Sequence, residues 1–297
     1  MRRVLVTGAG GFLAAPLIAR LERRGRVFKI GRTAAPGVRA VDLTDPAQAR
    51  AAVRAARPDE VYHLAGATKS PDWDAMWRAH VSTTVNLLEA LASRGEPVRV
   101  VVSGSSAEYG AAGGTRRPRE DSELSPVTAY GSCKLAQTMA ALSFARGPVQ
   151  VVAARIFNVL GPGTPDNLAP GAFARQVARV AASLQSPEVA VGDLSPRRDY
   201  VDVRDVAAAL ELLMRRGRSG ECYNVGSGRS VPMSAILRGL ATAAGVEIRP
   251  KTDRARVRRS EVRDLAADAR KIRALGWSPK IPLARSLADT VADWRAR

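Results

Sequence analysis

The chain has 297 residues, about twice the usual single-domain length, so one large α/β unit or two closely joined domains is expected. With 46% hydrophobic and 25% charged residues it can bury a core, which excludes a disordered chain. Forty-six basic against 28 acidic residues leave a net charge of +18, but only six of the basic residues are lysine and no basic tail or aromatic-interleaved patch occurs, so a nucleic-acid partner is not favoured.

Val4-Leu5-Val6 is a β-branched run stopped by Thr7-Gly8, and Phe12 to Arg24 carries apolar residues at helical spacing until Gly25 closes it. The unit then recurs. Val27 to Ile30 reads as a strand, Asp45 to Ala56 as a helix with Pro46 in its first turn, and Glu60 to Leu64 as a strand. A helix is expected over Trp73 to Ser93, a strand over Val98 to Val102, a helix over Ala129 to Phe144 and a strand over Val149 to Ile156. This alternation predicts a parallel sheet covered on both faces. Farther on, loops rich in Pro and Gly (Gly161-Pro162-Gly163-Thr164-Pro165, Ser195-Pro196) separate helices expected at Val203 to Met214, Pro232 to Ala244 and Leu283 to Trp294.

Two cysteines, Cys133 and Cys222, make neither a disulfide framework nor a four-cysteine zinc site, and two histidines, His63 and His80, leave little for a metal cage. No metal is expected, and a reducing, cytoplasmic setting fits. There is no run of 18 apolar residues, and Thr7-Gly8 arrives too soon for a signal-peptide core, so no membrane association is expected.

Gly8-Ala9-Gly10-Gly11-Phe12-Leu13-Ala14 lies between the first strand and its helix, where glycines let the backbone approach a pyrophosphate and the helix N-terminus offers N–H donors. Gly8, Gly11, Phe12 and Leu13 are therefore candidate cofactor residues. Ala14 stands where a third glycine is usual, and alanine still permits helix packing. The second strand ends Ile30-Gly31-Arg32-Thr33 with no carboxylate for a free ribose 2′-hydroxyl, whereas Arg32 suits a 2′-phosphate. NADP(H) is preferred and NAD(H) is the alternative. Asp42, the nearest carboxylate, is a candidate for the adenine. The expected architecture is α/β, a Rossmann-type doubly wound parallel sheet with a smaller C-terminal α/β substrate domain. Residues 1–160 would form the dinucleotide-binding part, with 200–228 returning to it, and 161–199 with 229–297 the substrate part.

Tyr130 and Lys134 are one helical turn apart and share a face. A free phenol has a pKa of about 10, and a nearby ammonium favours the phenolate, so the pair reads as a tuned acid/base couple. Ser103-Gly104-Ser105-Ser106 follows a strand at the edge where open α/β sheets bind ligands, and Ser105 is placed to hold a carbonyl.

Thr7-Gly8-x-x-Gly11, His63-Leu64-Ala65-Gly66, Ser105 with Tyr109-Gly110, and Tyr130-x-x-x-Lys134 occur in order. They are followed by Arg155-Ile156-Phe157-Asn158-Val159-Leu160-Gly161-Pro162-Gly163, Arg197-Arg198-Asp199-Tyr200-Val201-Asp202-Val203-Arg204-Asp205-Val206, Tyr223-Asn224-Val225-Gly226-Ser227-Gly228 and Gly276-Trp277-Ser278-Pro279. Taken together these segments resemble the extended short-chain dehydrogenase/reductase family, in its nucleotide-sugar-modifying branch, over nearly the whole chain. The resemblance implies that Ser105 and Tyr130 bond the reacting oxygen and that Lys134 holds the nicotinamide ribose. It adds Leu43, Leu64, Ala65 and Gly66 to the cofactor residues. Asn158 would meet the sugar or its phosphates, Arg198 and Arg258 would clamp the diphosphate, and Glu261 would face the ribose of the base. A diphosphate suits guanidinium forks and a ribose diol suits a carboxylate. The implied partner is a nucleotide-diphosphate sugar, with a GDP-sugar favoured, and the implied assembly is a homodimer.

Two residues depart from the family pattern. His80 replaces the usual asparagine on the helix after the third candidate strand, which bears on a proton relay or helix kink there. Ala107 stands where dehydratase members carry a glutamate, and Glu108 next to it should point elsewhere. The leading expectation is an NADPH-dependent 4-ketoreductase of a nucleotide 4-keto-6-deoxy sugar. An NAD-dependent 4-epimerase is the alternative, and a non-catalytic NADP-binding regulator or nucleic-acid binder is the reading from a different class, which a tuned Ser105–Tyr130–Lys134 set would not need.

Overall fold

In the computed structural model, which describes residues 2–68, 70, 72–111, 117–256 and 262–297, strand β1 (Val4–Thr7) is buried at every position. It pairs with β2 (Val27–Gly31) on one side and β4 (Glu60–His63) on the other. Strand β3 (Arg39–Ala40) extends the sheet beyond β2; β5 (Val98–Ser105), β6 (Val149–Ile156) and β10 (Cys222–Val225) extend it beyond β4. The seven strands run in the order 3-2-1-4-5-6-10, all parallel. The direction of growth reverses between β1 and β4, which opens a crevice at their C-terminal ends.

Period-two alternation divides the core. Val4 and Val6 face α1 (Ala14–Leu21) and α7 (Val203–Arg216), whereas Leu5 faces α2 (Pro46–Ala56) and α4 (Thr83–Ala92). Helix α5 (Ala129–Ser143) packs beside α4. The Asp45 carboxylate caps α2 by accepting from Ala47 N and Gln48 N, with Pro46 at the first position.

Three expected elements differ in extent. Helix α1 starts at Ala14, because Phe12 and Leu13 belong to the turn. The helix expected over residues 73–93 is interrupted: α3 (Trp73–Trp77) passes through a π-turn, Arg78–Ser82, into α4. Thr83 and Thr84 hydroxyls donate to the carbonyls of Ala79 and His80 and compete with the helical ladder there. Strand β5 continues through Ser103-Gly104-Ser105, which pair with Ala154, Arg155 and Ile156; these residues read as turn formers but fit a crowded central strand because they are small.

Beyond β6, β9 (Arg197–Asp202) is the centre of a second sheet. It pairs with β7 (Asn158–Leu160), β11 (Ser230–Pro232) and β13 (Asp264–Leu265), while β8 (Glu188–Val191) pairs with β12 (Arg249–Thr252). Helices α6 (Ala169–Ala181), α8 (Met233–Ala244) and α10 (Leu283–Ala296) enclose a third core, and α9 (Arg270–Ala274) lies against β10. No helix among the described residues is long and apolar enough to cross a membrane.

Three buried aspartates tie this C-terminal part down. Asp199 accepts from the backbone N–H groups of Ser227, Gly228 and Ala267 and from the Ser227 hydroxyl. Asp202 caps α7 through Arg204 N, pairs with the Arg204 guanidinium, and accepts from Ser286. Asp205 accepts from Lys280 N and Ile281 N. Asp199→Ala would leave three backbone donors unpaired in the interior and is expected to cost about 3 kcal/mol, read as a lower urea midpoint with an unchanged slope.

Candidate active site

The glycine turn follows β1 directly and meets the chain leaving β4. Gly8 has φ of +65°, and a Cβ there would lie 2.8 Å from the Leu64 and Ala65 backbone, so both conformation and space require glycine. Gly11 N and Ala14 N close back on the carbonyls of Gly8 and Gly11. Phe12 N and Leu13 N find no acceptor among the described residues, so the start of α1 presents donors outward, as a phosphate site needs. The turn is anchored to β2 by Ala9 N donating to Ile30 O. Arg32, just past β2, is exposed and makes no hydrogen bond or ion pair with any described residue. Asp42 is exposed and accepts from Thr44 N and Oγ1, while Leu43 is buried beneath it. Leu64 and Ala65 are half-buried and Gly66 is exposed, as expected of a wall of the crevice.

The Ser105 hydroxyl, at the end of β5, lies beside the phenol of Tyr130 in the first turn of α5, near enough to lower its pKa. Thr128 caps α5 by accepting from Gly131 N, and a Cβ on Gly131 would lie 2.6 Å from Ala107 O, so α5 starts tightly against the end of β5. Lys134, one turn after Tyr130, is buried; its Nζ donates to Ser103 O at 2.7 Å and Gln137 Oε1 at 2.9 Å. The structure thus brings Ser105, Tyr130 and Lys134 together, but the expected electrostatic tuning differs. Burial pushes the Tyr130 phenol above its ordinary value, opposed by the neighbouring Ser105 hydroxyl and assisted by Glu108, while burial pulls Lys134 down to about 8. The lowered phenol expected from the Tyr/Lys spacing is therefore corrected: in the protein alone desolvation is the largest influence on Tyr130 and raises it.

His80 sits at the π-turn, so the helix distortion is present with histidine in this position. Its Nε2 donates to Ala67 O at 2.8 Å and its ring meets Tyr130 edge-on with centroids 5.6 Å apart. Burial and the Lys134 charge hold it at about 4, hence neutral, and the buried Nδ1 has no partner among the described residues. A Cβ on Gly66 would strike this ring at 2.5 Å.

Glu108 turns away from the cleft, as its position next to Ala107 suggested. Its carboxylate accepts from Ser105 N at 2.7 Å, from Thr138 Oγ1 at 3.0 Å and from Arg155 Nε at 2.8 Å. Arg155 also donates to Tyr109 Oη and Glu120 O and stacks on the Tyr109 ring, whose hydroxyl donates to Asn224 Oδ1 at 2.6 Å. Both charges are fully buried, and the pair fixes the end of β5 to α5 and β6. Sequence reading assigned neither residue a role; the signal available was a glutamate and an arginine placed inside otherwise apolar strand ends.

Asn158 Nδ2 donates to Asp199 O at 3.3 Å, which puts Asn158 beside the half-buried Arg198 where β7 meets β9. Burial lowers the Arg198 guanidinium from its ordinary value. Arg258 and Glu261 lie outside the described residues. No cluster of metal-ligating side chains occurs among the described residues.

Residues 4–226 match the NAD dependent epimerase/dehydratase family. The chain is 33% identical to GDP-6-deoxy-D-mannose reductase of Pseudomonas aeruginosa over 100% of this chain and 98% of that protein. It is 30% identical to dTDP-6-deoxy-L-talose 4-dehydrogenase (NAD(P)(+)) of Kitasatospora kifunensis over 99% and 95% of the two. The solved structure of RMD from Pseudomonas aeruginosa complexed with NADPH superposes with a TM-score of 0.89 at 31% identity, covering 100% of this chain and 99% of that one.

Glu108→Ala would leave the Arg155 guanidinium buried without its counter-charge. A loss of about 3–5 kcal/mol is expected in denaturant unfolding, against a much smaller loss for the double variant Glu108→Ala/Arg155→Met.

Proposed function

Since the chain belongs to the NAD dependent epimerase/dehydratase family, a group of nucleotide-sugar reductases, dehydrogenases and epimerases, we propose that it is an NADPH-dependent reductase of the 4-keto group of a nucleotide 4-keto-6-deoxy sugar. Its preferred substrate is GDP-4-dehydro-6-deoxy-D-mannose and its product GDP-D-rhamnose. The observation that carries this is the Ser105–Tyr130 hydroxyl pair at the end of β5, beside the buried Lys134.

The turn at Gly8 and Gly11 fits a dinucleotide, since it excludes side chains and points free N–H groups outward. Bound NADPH supplies a hydride to C4 of the sugar. As the carbonyl oxygen gains negative charge, Tyr130 gives up its phenolic proton to it and Ser105 donates a second hydrogen bond. Burial raises the Tyr130 phenol above its ordinary value, so it is available as the proton donor that a reduction requires. The similarity to a 4-keto-sugar reductase and a 4-dehydrogenase over nearly the full chain favours reduction over the 4-epimerase alternative.

In this reading Lys134 holds the nicotinamide ribose and Arg32 holds the 2′-phosphate. Phe12, Leu13, Asp42, Leu43, Leu64, Ala65 and Gly66 line the cofactor, with Asn158, Arg198, Arg258 and Glu261 around the nucleotide sugar. Residues 1–160 with 200–228 form the cofactor part and 161–199 with 229–297 the substrate part. We assign a homodimer in the cytoplasm, with Trp73, Trp77 and Met139 as exposed apolar side chains on the contiguous α3 and α5.

Cofactor choice is read by fluorescence titration. NADPH should bind more tightly than NADH, and Arg32→Ala should weaken NADPH about tenfold with little effect on NADH, because one charge-assisted phosphate contact is lost. Equal affinities in the wild type would exclude the 2′-phosphate role. Catalysis is read by NADPH oxidation with the GDP-4-keto-6-deoxy sugar. Tyr130→Phe should lower kcat by about 10²–10⁴-fold with NADPH affinity nearly unchanged. Undiminished turnover would remove Tyr130 from the chemistry, and interconversion of UDP-sugar 4-epimers without net NADPH use would replace reduction by epimerisation.

A further inference from the structure

We propose that Gln137 is a positioning residue for Lys134: it fixes the ammonium through a directed hydrogen-bond chain that starts at the glycine turn and leaves one Nζ proton for the cleft. The role deepens the reading above, on which Lys134 grips the cofactor ribose.

The chain runs through five buried side chains, Thr7, His63, Thr84, Gln137 and Lys134. Its direction follows from donor and acceptor capacity alone. An ammonium only donates, so the Gln137 atom facing Nζ at 2.9 Å is the carbonyl oxygen, and the amide nitrogen is the atom that reaches Thr84 Oγ1 at 3.0 Å. The single Thr84 proton goes to His80 O at 2.6 Å, since a carbonyl only accepts. His63 Nε2, 2.8 Å from Thr84 Oγ1, must therefore carry hydrogen and donate. Burial first, then the Lys134 charge, hold His63 at about 3, so it is neutral and Nδ1 accepts from Thr7 Oγ1 at 2.8 Å. Thr7 in turn accepts from Ala65 N, in the segment packed against Gly8. The Gln137 amide orientation and the His63 tautomer are both assigned by this donor and acceptor count.

This arrangement meets an electrostatic problem. The Lys134 ammonium is buried with no carboxylate in ion-pair range among the described residues. The titratable groups around it are Tyr130 from its own helix, Glu108 from the turn after β5, His63 from β4 and His80 from the π-turn. Both histidines are neutral, and Glu108 is committed to Arg155. Two neutral acceptors, Ser103 O and Gln137 Oε1, consequently hold two of the three ammonium protons, and the third is directed by exclusion. Ser103 O belongs to a central strand and cannot be varied; Gln137 can.

The test uses the free protein with ¹³Cε-labelled lysine and follows the titration by NMR. The chain has six lysines, and Lys134→Met identifies the signal. The wild-type signal should titrate near pH 8. Gln137→Leu should lower that midpoint by about half a unit or more, and the isosteric Gln137→Glu should raise it by about one unit or more. Thr84→Val, which frees the amide to rotate, should move it in the same direction as Gln137→Leu but less. In parallel, NADPH Kd at neutral pH should rise about fivefold or more in Gln137→Leu and return to near wild type in Gln137→Glu. A purely structural role would lower stability and leave the midpoint in place. A midpoint unmoved in both Gln137 variants overturns the positioning role. A Lys134→Met protein that binds NADPH as tightly as wild type overturns the ribose reading instead, and the two failures are told apart by which readout is silent.

Discussion

The Glu108–Arg155 ion pair is the constraint on which the site depends. Removing two charges from water is costly, and a pair so buried adds little net stability over an apolar substitute. Its value is geometric. The Glu108 carboxylate bonds the backbone of Ser105, the side chain of Thr138 on α5 and the guanidinium on β6 together. Ser105, Tyr130 and Lys134 come from two elements, and this carboxylate fixes how those elements meet. The small residues at Gly104 and Gly131 permit that approach: a Cβ at either would lie 2.6 Å from an oxygen of the junction.

A second consequence concerns charge. The polar interior on this side of the sheet is built from neutral groups around one cation, and both histidines are kept unprotonated by burial and by Lys134 itself. Desolvation therefore sets the resting state: Lys134 is pulled down towards neutrality while Tyr130 is pushed up. Burial thus drives the two values apart, with the ammonium falling below the phenol, and the phenol rests as a proton donor. The same acid/base pair on an exposed helix would lack that separation.

The C-terminal part is held by a different device. Asp199, Asp202 and Asp205 lie on one continuous stretch from β9 into α7, and each takes backbone or hydroxyl donors from segments far along the chain. Fully hydrogen-bonded carboxylates of this kind replace ladder bonds where the chain is irregular. The Asp199 backbone oxygen also receives Asn158, so the same residue that anchors Ser227 and Ala267 orients a polar candidate on the substrate side.

By itself the sequence determined the repeating strand–helix order, the glycine turn, the serine strand end and the Tyr130/Lys134 face, because periodicity and special backbone conformations are local and leave local marks. The limits of individual elements were less legible. Small residues extended β5 to Ser105 against their turn-forming habit, since a crowded sheet interior selects for size, and threonine hydroxyls converted an expected continuous helix into a π-turn. Only the tertiary structure decided the direction of the Tyr130 shift, because desolvation is a property of everything packed around a group rather than of its helix neighbours. It alone placed Gln137 on Thr84 and Glu108 on Arg155, since each bond joins atoms whose geometry is set by different elements. The pairing of Asp199 with Ser227, Gly228 and Ala267 is of the same kind: residues distant in sequence meet only when the second sheet has closed around β9.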